Sequence, residues 1–401
     1  MNLEISKDDF KNQRKYIEFL SNLNNKKKIA CVKTFGCQQN VADSEKIKGI
    51  LDKLGYVLSQ DPEQADLIIY NTCAVRENAE DRVFGNTGAL KNLKQSKKDI
   101  IIGLCGCMTQ QEHIVDKIKQ SYPQVDLILG THSLHLLPEL LYRVIINQKR
   151  VIDINNRDGL FPEDIPVLRD SDKKAWVPIM SGCDNFCTYC IVPYVRGRER
   201  SRASRDIINE IKDLINLGYC EITLLGQNVN SYGKGLEEKI NFSQLLKNIN
   251  NLPGDFEISF MTSHPKDCSK ELIDTIAESN KISKHLHLPV QSGSNKILKL
   301  MNRKYNIQEY KDLVDYAKSK IKNLILSSDI IVGFPGETYE DFLETKEIIK
   351  YIKYDFLYSF IYSKRNGTIA AKMTDIVSEK EKHQWLSELL KLQEEIKKNY
   401  K

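Results

Sequence analysis

Short apolar runs alternate along the chain with stretches in which apolar positions recur every three or four residues. The runs KIACV (28–32), DLIIYNT (66–72), DIIIGLCG (99–106), VDLILG (125–130) and RVIDIN (150–155) are apolar and mostly rich in β-branched residues, and predict strands. Helical patterns lie between them over 43–54, 77–94, 110–121 and up to about Asn147, after a Lys-rich helical extension over 1–27. Strands alternating with helices in this way predict a doubly wound parallel sheet with right-handed crossovers.

The polar, proline-containing stretch 155–174 keeps no period and reads as a linker. Beyond it the alternation resumes, with strands expected at 175–180, 221–227, 256–262, 285–291, 324–334 and 355–363. The clearest helical patterns of this half cover 206–217 and 269–279, and an amphipathic helix closes the chain near 378–401. Six strand–helix units predict a partial, TIM-like (β/α)6 barrel whose working residues stand on loops after the strands. The expected fold class is α/β. A first domain spans 28–154, the linker 155–174, and a barrel domain with its C-terminal helix 175–401.

Composition narrows the class. The chain has 401 residues and a formal charge of +5, too small to argue for nucleic acid by itself. No run approaches the ~18 apolar residues of a membrane span, and the N-terminus is charged with no signal-peptide core, so a cytoplasmic protein is expected. Ten cysteines are too few for a disulfide scaffold of this length and are better read as metal ligands or reactive groups.

Their placement decides the reading. Cys37, Cys73 and Cys107 each follow a predicted strand, 36 and 34 residues apart, one strand–helix repeat at a time. Loops after parallel strands open on one edge of the sheet, so the three thiols are expected to converge as a metal or cluster site. Cys31 and Cys105 fall inside strands and read as buried thiols, although Cys105 stands two residues from Cys107. TFGCQQN lacks the repeated glycines of a dinucleotide-binding loop.

In the second half, Cys183, Cys187 and Cys190 form C-x3-C-x2-C with no fourth Cys or His nearby. Three close thiolates suit a four-iron cluster with one open iron, the bland alternative being a three-cysteine zinc site. Cys220 and Cys268 match no motif, and His285 and His287 share one strand face as cavity or core lining. Arginine is scarce, 14 against 45 lysines, yet Arg196, Arg198, Arg200, Arg202 and Arg205 crowd together beside Tyr194. Planar forks concentrated in one place suit phosphate contacts, and these five are candidates for binding an RNA backbone.

C-x3-C-x2-C after the first strand of a six-unit barrel resembles the radical S-adenosylmethionine (SAM) superfamily. TFGCQQN–DSE (34–45), NTCAVRENA (71–79) and GCM (106–108) resemble the methylthiotransferases within it. NTCAVRENA, VPYVRGRERSR (192–202) and SFMTSHPKD (259–267) are most like the members that act on N6-isopentenyladenosine in tRNA. The sibling enzymes act on threonylcarbamoyladenosine or on a ribosomal protein. A reading of another class is a non-catalytic tRNA- or zinc-binding module.

The resemblance implies two [4Fe–4S] clusters and SAM as cofactors. Cys183, Cys187 and Cys190 would hold the cluster that cleaves SAM to a radical, and Cys37, Cys73 and Cys107 an auxiliary cluster that supplies or relays sulfur. Gly226, Gln227 and Asn228 would face the methionine side of SAM, the segment from Val332 and Gly333 to Gly336 its adenine, and Gln291 would be a further SAM contact. It further implies methylthiolation of adenine C2 at tRNA position 37, one chamber shared by both clusters, a low-potential electron donor such as flavodoxin, and a monomer. Family members continue into a small RNA-binding β-barrel called TRAM, which this sequence, ending at Lys401, is expected to lack.

Overall fold

The structure is a computed structural model that describes residues 3–5, 7–75, 77–159, 161–163 and 165–399. Arg76 in the 71–79 motif, Leu160 and Asp164 in the linker, and Met1, Asn2, Ser6, Tyr400 and Lys401 lie outside the described residues. The chain forms two compact units: Met1–Asp172 with Tyr194–Arg200, and Lys173–Pro193 with Ser201–Lys401.

The first unit is built on six parallel strands, in the spatial order Tyr56–Leu58, Lys28–Phe35, Leu67–Thr72, Ile101–Gly106, Leu127–Leu129, Val151–Asp153. The order reverses once, beside Lys28–Phe35, which makes the sheet doubly wound as the alternation predicts. Tyr56–Leu58 was not expected, because three residues are too few for a periodic signal. Leu67–Thr72 is buried along its whole length, which is why its apolar run is continuous rather than alternating.

Helices cover both faces. Gln38–Lys53 and Leu137–Asn147 bring Ile47, Leu51, Leu137 and Leu141 onto one face, against Val32, Leu67, Ile69 and Leu127. Glu77–Ser96 and Glu112–Ser121 bring Val83, Leu90, Ile114 and Ile118 onto the other, against Ile68, Ile102, Leu104 and Ile128. Each such side chain contributes roughly 1.5–3 kcal/mol on burial.

The expected linker behaves differently from a free connector. The Leu168 amide donates to the Glu45 carbonyl at 3.0 Å, and Arg169 Nη1 meets Glu45 Oε2 at 2.9 Å. Lys48 pairs with Asp170. Gly49 makes room for this strap, since a Cβ there would lie 2.2 Å from the Pro166 carbonyl oxygen. The segment therefore packs along the Gln38–Lys53 helix as part of the first unit, and the boundary falls after Asp172.

The second unit holds two three-stranded parallel sheets, Lys174–Pro178, Glu221–Leu225, Glu257–Phe260 and then His285–His287, Ile325–Val332, Phe356–Ile361. Within each sheet every strand pairs with its neighbours in sequence, which is the winding of a barrel. All six expected strands are present, with 285–291 shortened to His285–His287. The main core runs through the unit, with a smaller cluster of Ile297, Met301, Phe334 and Ala370 in the same unit. Ser204–Asn216 buries Ile207, Ile211 and Leu214 at helical spacing. Tyr339–Ile352 starts at a capping box between Thr338 and Asp341. The last helix, Glu379–Asn399, stacks Trp385 on Phe342 with centroids 5.3 Å apart. Among the described residues no helix is long and apolar enough to cross a membrane.

Candidate active site

In the first unit, the strands Lys28–Phe35, Leu67–Thr72 and Ile101–Gly106 are immediate neighbours, and each ends just before one of the three cysteines. Adjacency turns a 35-residue spacing in sequence into convergence in space. Asn40 ties the loops together, its Nδ2 donating to Asn71 Oδ1 and to the Thr72 carbonyl, both at 3.1 Å, while Asn71 Nδ2 donates back to the Asn40 carbonyl at 2.8 Å. Gly36 leaves the space that the Asn40 side chain fills, and Gly106, at φ +102°, passes against Asn71 and Thr72 where any Cβ would collide.

Cys37 caps the Gln38–Lys53 helix, whose N-terminus favours a thiolate. The Cys73 thiol donates to Cys37. That hydrogen bond, helped by the charge of Arg196, pulls the Cys37 pKa down to about 5 and pushes that of Cys73 up. Burial raises the Cys107 thiol, and Arg196 opposes it by donating from Nε to the sulfur at 3.2 Å. Arg196 is itself buried, with Nη2 on Asp43 Oδ2 at 2.7 Å. Three soft donors that interact with one another beside a fixed cation form a donor set that fits a cluster. Cys105, by contrast, points into the apolar core with Ala30, Val32 and Leu127, which removes it as a substitute ligand.

In the second unit, Cys183, Cys187 and Cys190 lie on the loop after the Lys174–Pro178 strand, turned by a hydrogen bond from the Cys190 amide to the Cys187 carbonyl at 2.9 Å. The loop is held from outside by residues 300–303. Asn302, at φ +58°, donates from Nδ2 to the Asn185 and Phe186 carbonyls at 3.2 and 3.0 Å. Thr188 Oγ1 donates to the Leu300 carbonyl at 2.8 Å. Arg303 is buried and donates to Cys187 Sγ at 3.3 Å, to the Pro289 carbonyl at 2.9 Å and to the Tyr305 hydroxyl at 3.0 Å. Burial, then the neighbouring Cys187 and Cys183, push the Cys190 thiol up to about 12. Buried thiols that resist ionisation singly become ligands when a cluster supplies the positive charge. Among the described residues no three His, Cys, Asp or Glu close on a point as one metal ion requires. A four-iron cube, with one thiolate on each of three corners, makes no such demand.

The residues expected to face SAM divide into two groups. Gln227 Oε1 accepts from the Gly182 amide at 2.7 Å, so that side chain braces the start of the cysteine loop. The Val332 side chain is wholly inside the core, which leaves only its backbone to meet a ligand. Gly226 packs against Met180, and Gln291 and Gly333 adopt φ +72° and +70° at strand ends. Asn228 donates to Asp267 Oδ2 at 2.7 Å and keeps its own Oδ1 without a partner. Asn230, Ser263 Oγ and His264 Nε2 are also buried and unpartnered, all on loops following the Glu221–Leu225 and Glu257–Phe260 strands. Unsatisfied buried polar atoms gathered at the carboxyl edge fit a polar ligand there.

The arginine cluster is redirected. Arg196 and Arg202 are buried and paired, the latter with Glu210 Oε2 at 2.7 Å and the Pro178 carbonyl at 2.8 Å, so their forks are consumed inside the protein and not on RNA. Arg200 is half-buried, donating to the Arg157 carbonyl at 3.2 Å, while Arg198 and Arg205 are exposed. Arg303 and Asn302 escaped the sequence reading because no spacing links them to the cysteine loop, and Asp43 and His264, although inside the 34–45 and 259–267 motifs, were given no role of their own. His285 and His287 both meet Ser327 Oγ, at 2.8 and 2.9 Å, and form no metal pair.

The barrel and its three-cysteine loop define a radical SAM protein, and residues 177–349 match the Radical SAM superfamily while 29–130 match the uncharacterized protein family UPF0004. A solved radical SAM methyltransferase, TsrM from Kitasatospora setae, shares the fold at TM-score 0.61 and 12% identity, covering 86% of this chain and 75% of its own. The cobalamin-dependent radical enzyme OxsB aligns at TM-score 0.57 and 12% identity over 92% of this chain and 56% of its own. The tRNA-2-methylthio-N(6)-dimethylallyladenosine synthase of Thermoanaerobacter pseudethanolicus is 50% identical over 396 residues, 98% of this chain and 84% of that protein. Its namesake in Clostridium perfringens strain SM101 is 52% identical over 364 residues, 91% of this chain and 81% of that protein. The chain belongs to the family of tRNA-2-methylthio-N(6)-dimethylallyladenosine synthases.

Proposed function

We propose that this chain methylthiolates C2 of N6-isopentenyladenosine in tRNA, at position 37 beside the anticodon. The reading is carried by identity of 50% along nearly the whole chain to synthases of that name, in a protein with two separate three-cysteine sites. Carbon 2 carries a hydrogen that is neither acidic nor a leaving group, so acid–base catalysis has little to act on. When bound, SAM and the two clusters supply the radical chemistry and the sulfur that open this position.

The protein's own part is to hold and to exclude. Cys183, Cys187 and Cys190 take the cluster that meets SAM, and Arg303 and Asn302 fix the loop that carries them. Cys37, Cys73 and Cys107 take the auxiliary cluster, with Arg196 as fixed counter-charge. The backbones of Gly226, Gln291, Val332 and Gly333 and the side chain of Asn228 meet SAM, while Gln227 acts on the loop from behind. Arg198 and Arg205, which lie at the surface, approach the RNA backbone. The electron comes from a low-potential donor of the flavodoxin kind, and the working unit is a monomer.

Modified nucleosides from cells with and without the protein test the substrate. Loss of methylthio-isopentenyladenosine, with isopentenyladenosine rising in its place, is expected. An unchanged nucleoside profile would refute the assignment. Anaerobic reconstitution should yield about eight irons per chain for two four-iron clusters, whereas zinc alone would leave a binding module.

A further inference from the structure

His264 stands at the end of the Glu257–Phe260 strand, 95% buried, and its two ring nitrogens have different fates. Nδ1 accepts the Lys266 amide at 3.2 Å, as the cap of a short turn. A neutral imidazole that accepts at Nδ1 carries its proton on Nε2, so the hydrogen-bond network assigns Nε2–H as a donor. That donor is buried and has no acceptor. Ser263 Oγ, next in the chain, is also buried and unpartnered. An unmet donor in a buried site costs about 1–3 kcal/mol, which a bound acceptor recovers.

The surroundings keep the ring neutral. Burial, and then Arg303, Lys266 and Lys234, hold its pKa far below the ordinary histidine value, at about 2. They also place it beside the radical-cluster loop. The His264 ring packs edge-on to Tyr305 at 5.8 Å, Tyr305 takes the Nε donor of Arg303, and Arg303 reaches Cys187. Lys266 Nζ donates to Asn185 Oδ1 at 2.7 Å, within the cysteine loop itself. A carboxylate arriving here would find cations better suited to it. A neutral donor matches a neutral acceptor, and the reactive C2 of adenine is flanked on both sides by ring nitrogens of that kind.

We propose that His264 donates from Nε2 to a ring nitrogen of the substrate adenine, which orients the reacting carbon and makes His264 a specificity-determining residue. This rests on the function proposed above. The test uses the full chain, reconstituted anaerobically, with an anticodon stem-loop RNA carrying isopentenyladenosine or its 1-deaza, 3-deaza or 7-deaza counterpart. In the unaltered protein one deaza substitution should weaken RNA binding by about 5- to 150-fold, the range of one buried hydrogen bond. His264→Asn keeps an acceptor for the Lys266 amide but withdraws the distal donor. This variant should bind the unsubstituted RNA correspondingly weakly, and the sensitive deaza RNA no worse. SAM affinity and iron content should stay as in the unaltered chain.

If all three deaza RNAs bind the unaltered protein like the parent, the assignment fails, with no variant needed. Weakened SAM binding in His264→Asn, with RNA binding intact, moves the donor to SAM and equally overturns it. If the unaltered chain forms no methylthio nucleoside from isopentenylated RNA, the functional reading itself falls. Turnover with indifferent deaza RNAs removes only the role of His264.

Discussion

Arg196 joins the Cys107 sulfur, at 3.2 Å from Nε, to the Asp43 carboxylate, at 2.7 Å from Nη2, inside the first unit. Its position only six residues after Cys190 in sequence conceals this role, because the segment Tyr194–Arg200 belongs to the first unit. Removing one partner of a buried ion pair strands the other. Arg196→Gln should therefore destabilise the first unit by about 3–5 kcal/mol and lower iron retention at Cys37, Cys73 and Cys107. Thermal unfolding and iron analysis of the reconstituted variant check both.

Cys187→Ala removes a ligand from one site and leaves the other intact. The variant should retain about four of the expected eight irons and form no 5′-deoxyadenosine from SAM. Persistent SAM cleavage would show that the cysteines had been given the wrong roles. Arg303→Gln keeps all three cysteines and should give a cluster that assembles but has an altered electron paramagnetic resonance signal, since the charge beside Cys187 is gone.

Glu337 gives the second unit a pH dependence of predictable sign. Its Oε2 accepts the Gly333 and Phe334 amides at 2.5 and 3.0 Å, yet burial dominates and lifts its pKa to about 7. A carboxyl whose folded pKa is raised stabilises most at pH below its unfolded value near 4.5 and loses that contribution as pH rises through about 7. Glu337→Gln keeps an amide oxygen for both donors and should flatten this slope. Above pH 7 the variant should be more stable than the parent by up to about 3 kcal/mol. Denaturant titrations at pH 5 and pH 8 measure the difference.

Gly333 is constrained twice. It sits at φ +70°, and the buried stem of Lys382 occupies the space of a Cβ, with Lys382 Nζ donating to Glu379 at 2.7 Å. Gly333→Ala should cost about 1–3 kcal/mol in stability through backbone strain and the displaced lysine. It should also weaken SAM binding in an equilibrium titration, because this loop is one of the proposed contacts.

Much of the fold was legible because periodic burial leaves a periodic trace. The five strands expected in the first half and the six in the second all appear, as does the helix Ser204–Asn216 with Ile207, Ile211 and Leu214 turned inward. Tyr56–Leu58 was too short to leave such a trace. The segment after Asn155 looked like a tether because its composition is polar, whereas Arg169 and Asp170 are engaged with Glu45 and Lys48. The five clustered arginines looked alike in sequence. Burial separates Arg196 and Arg202 from Arg198 and Arg205 at the surface.

The linear order of residues determined which cysteines stand at one sheet edge, since parallel strands deliver their loops there and the repeat length sets where each thiol emerges. It also determined the barrel and the class of chemistry, through the three-cysteine loop after its first strand. Only the tertiary structure decided what stands beside those sulfurs. Arg196, Arg303 and His264 reach their partners across 89, 116 and 41 residues of chain. Contacts that distant arise from packing between elements, and no local period or spacing records them.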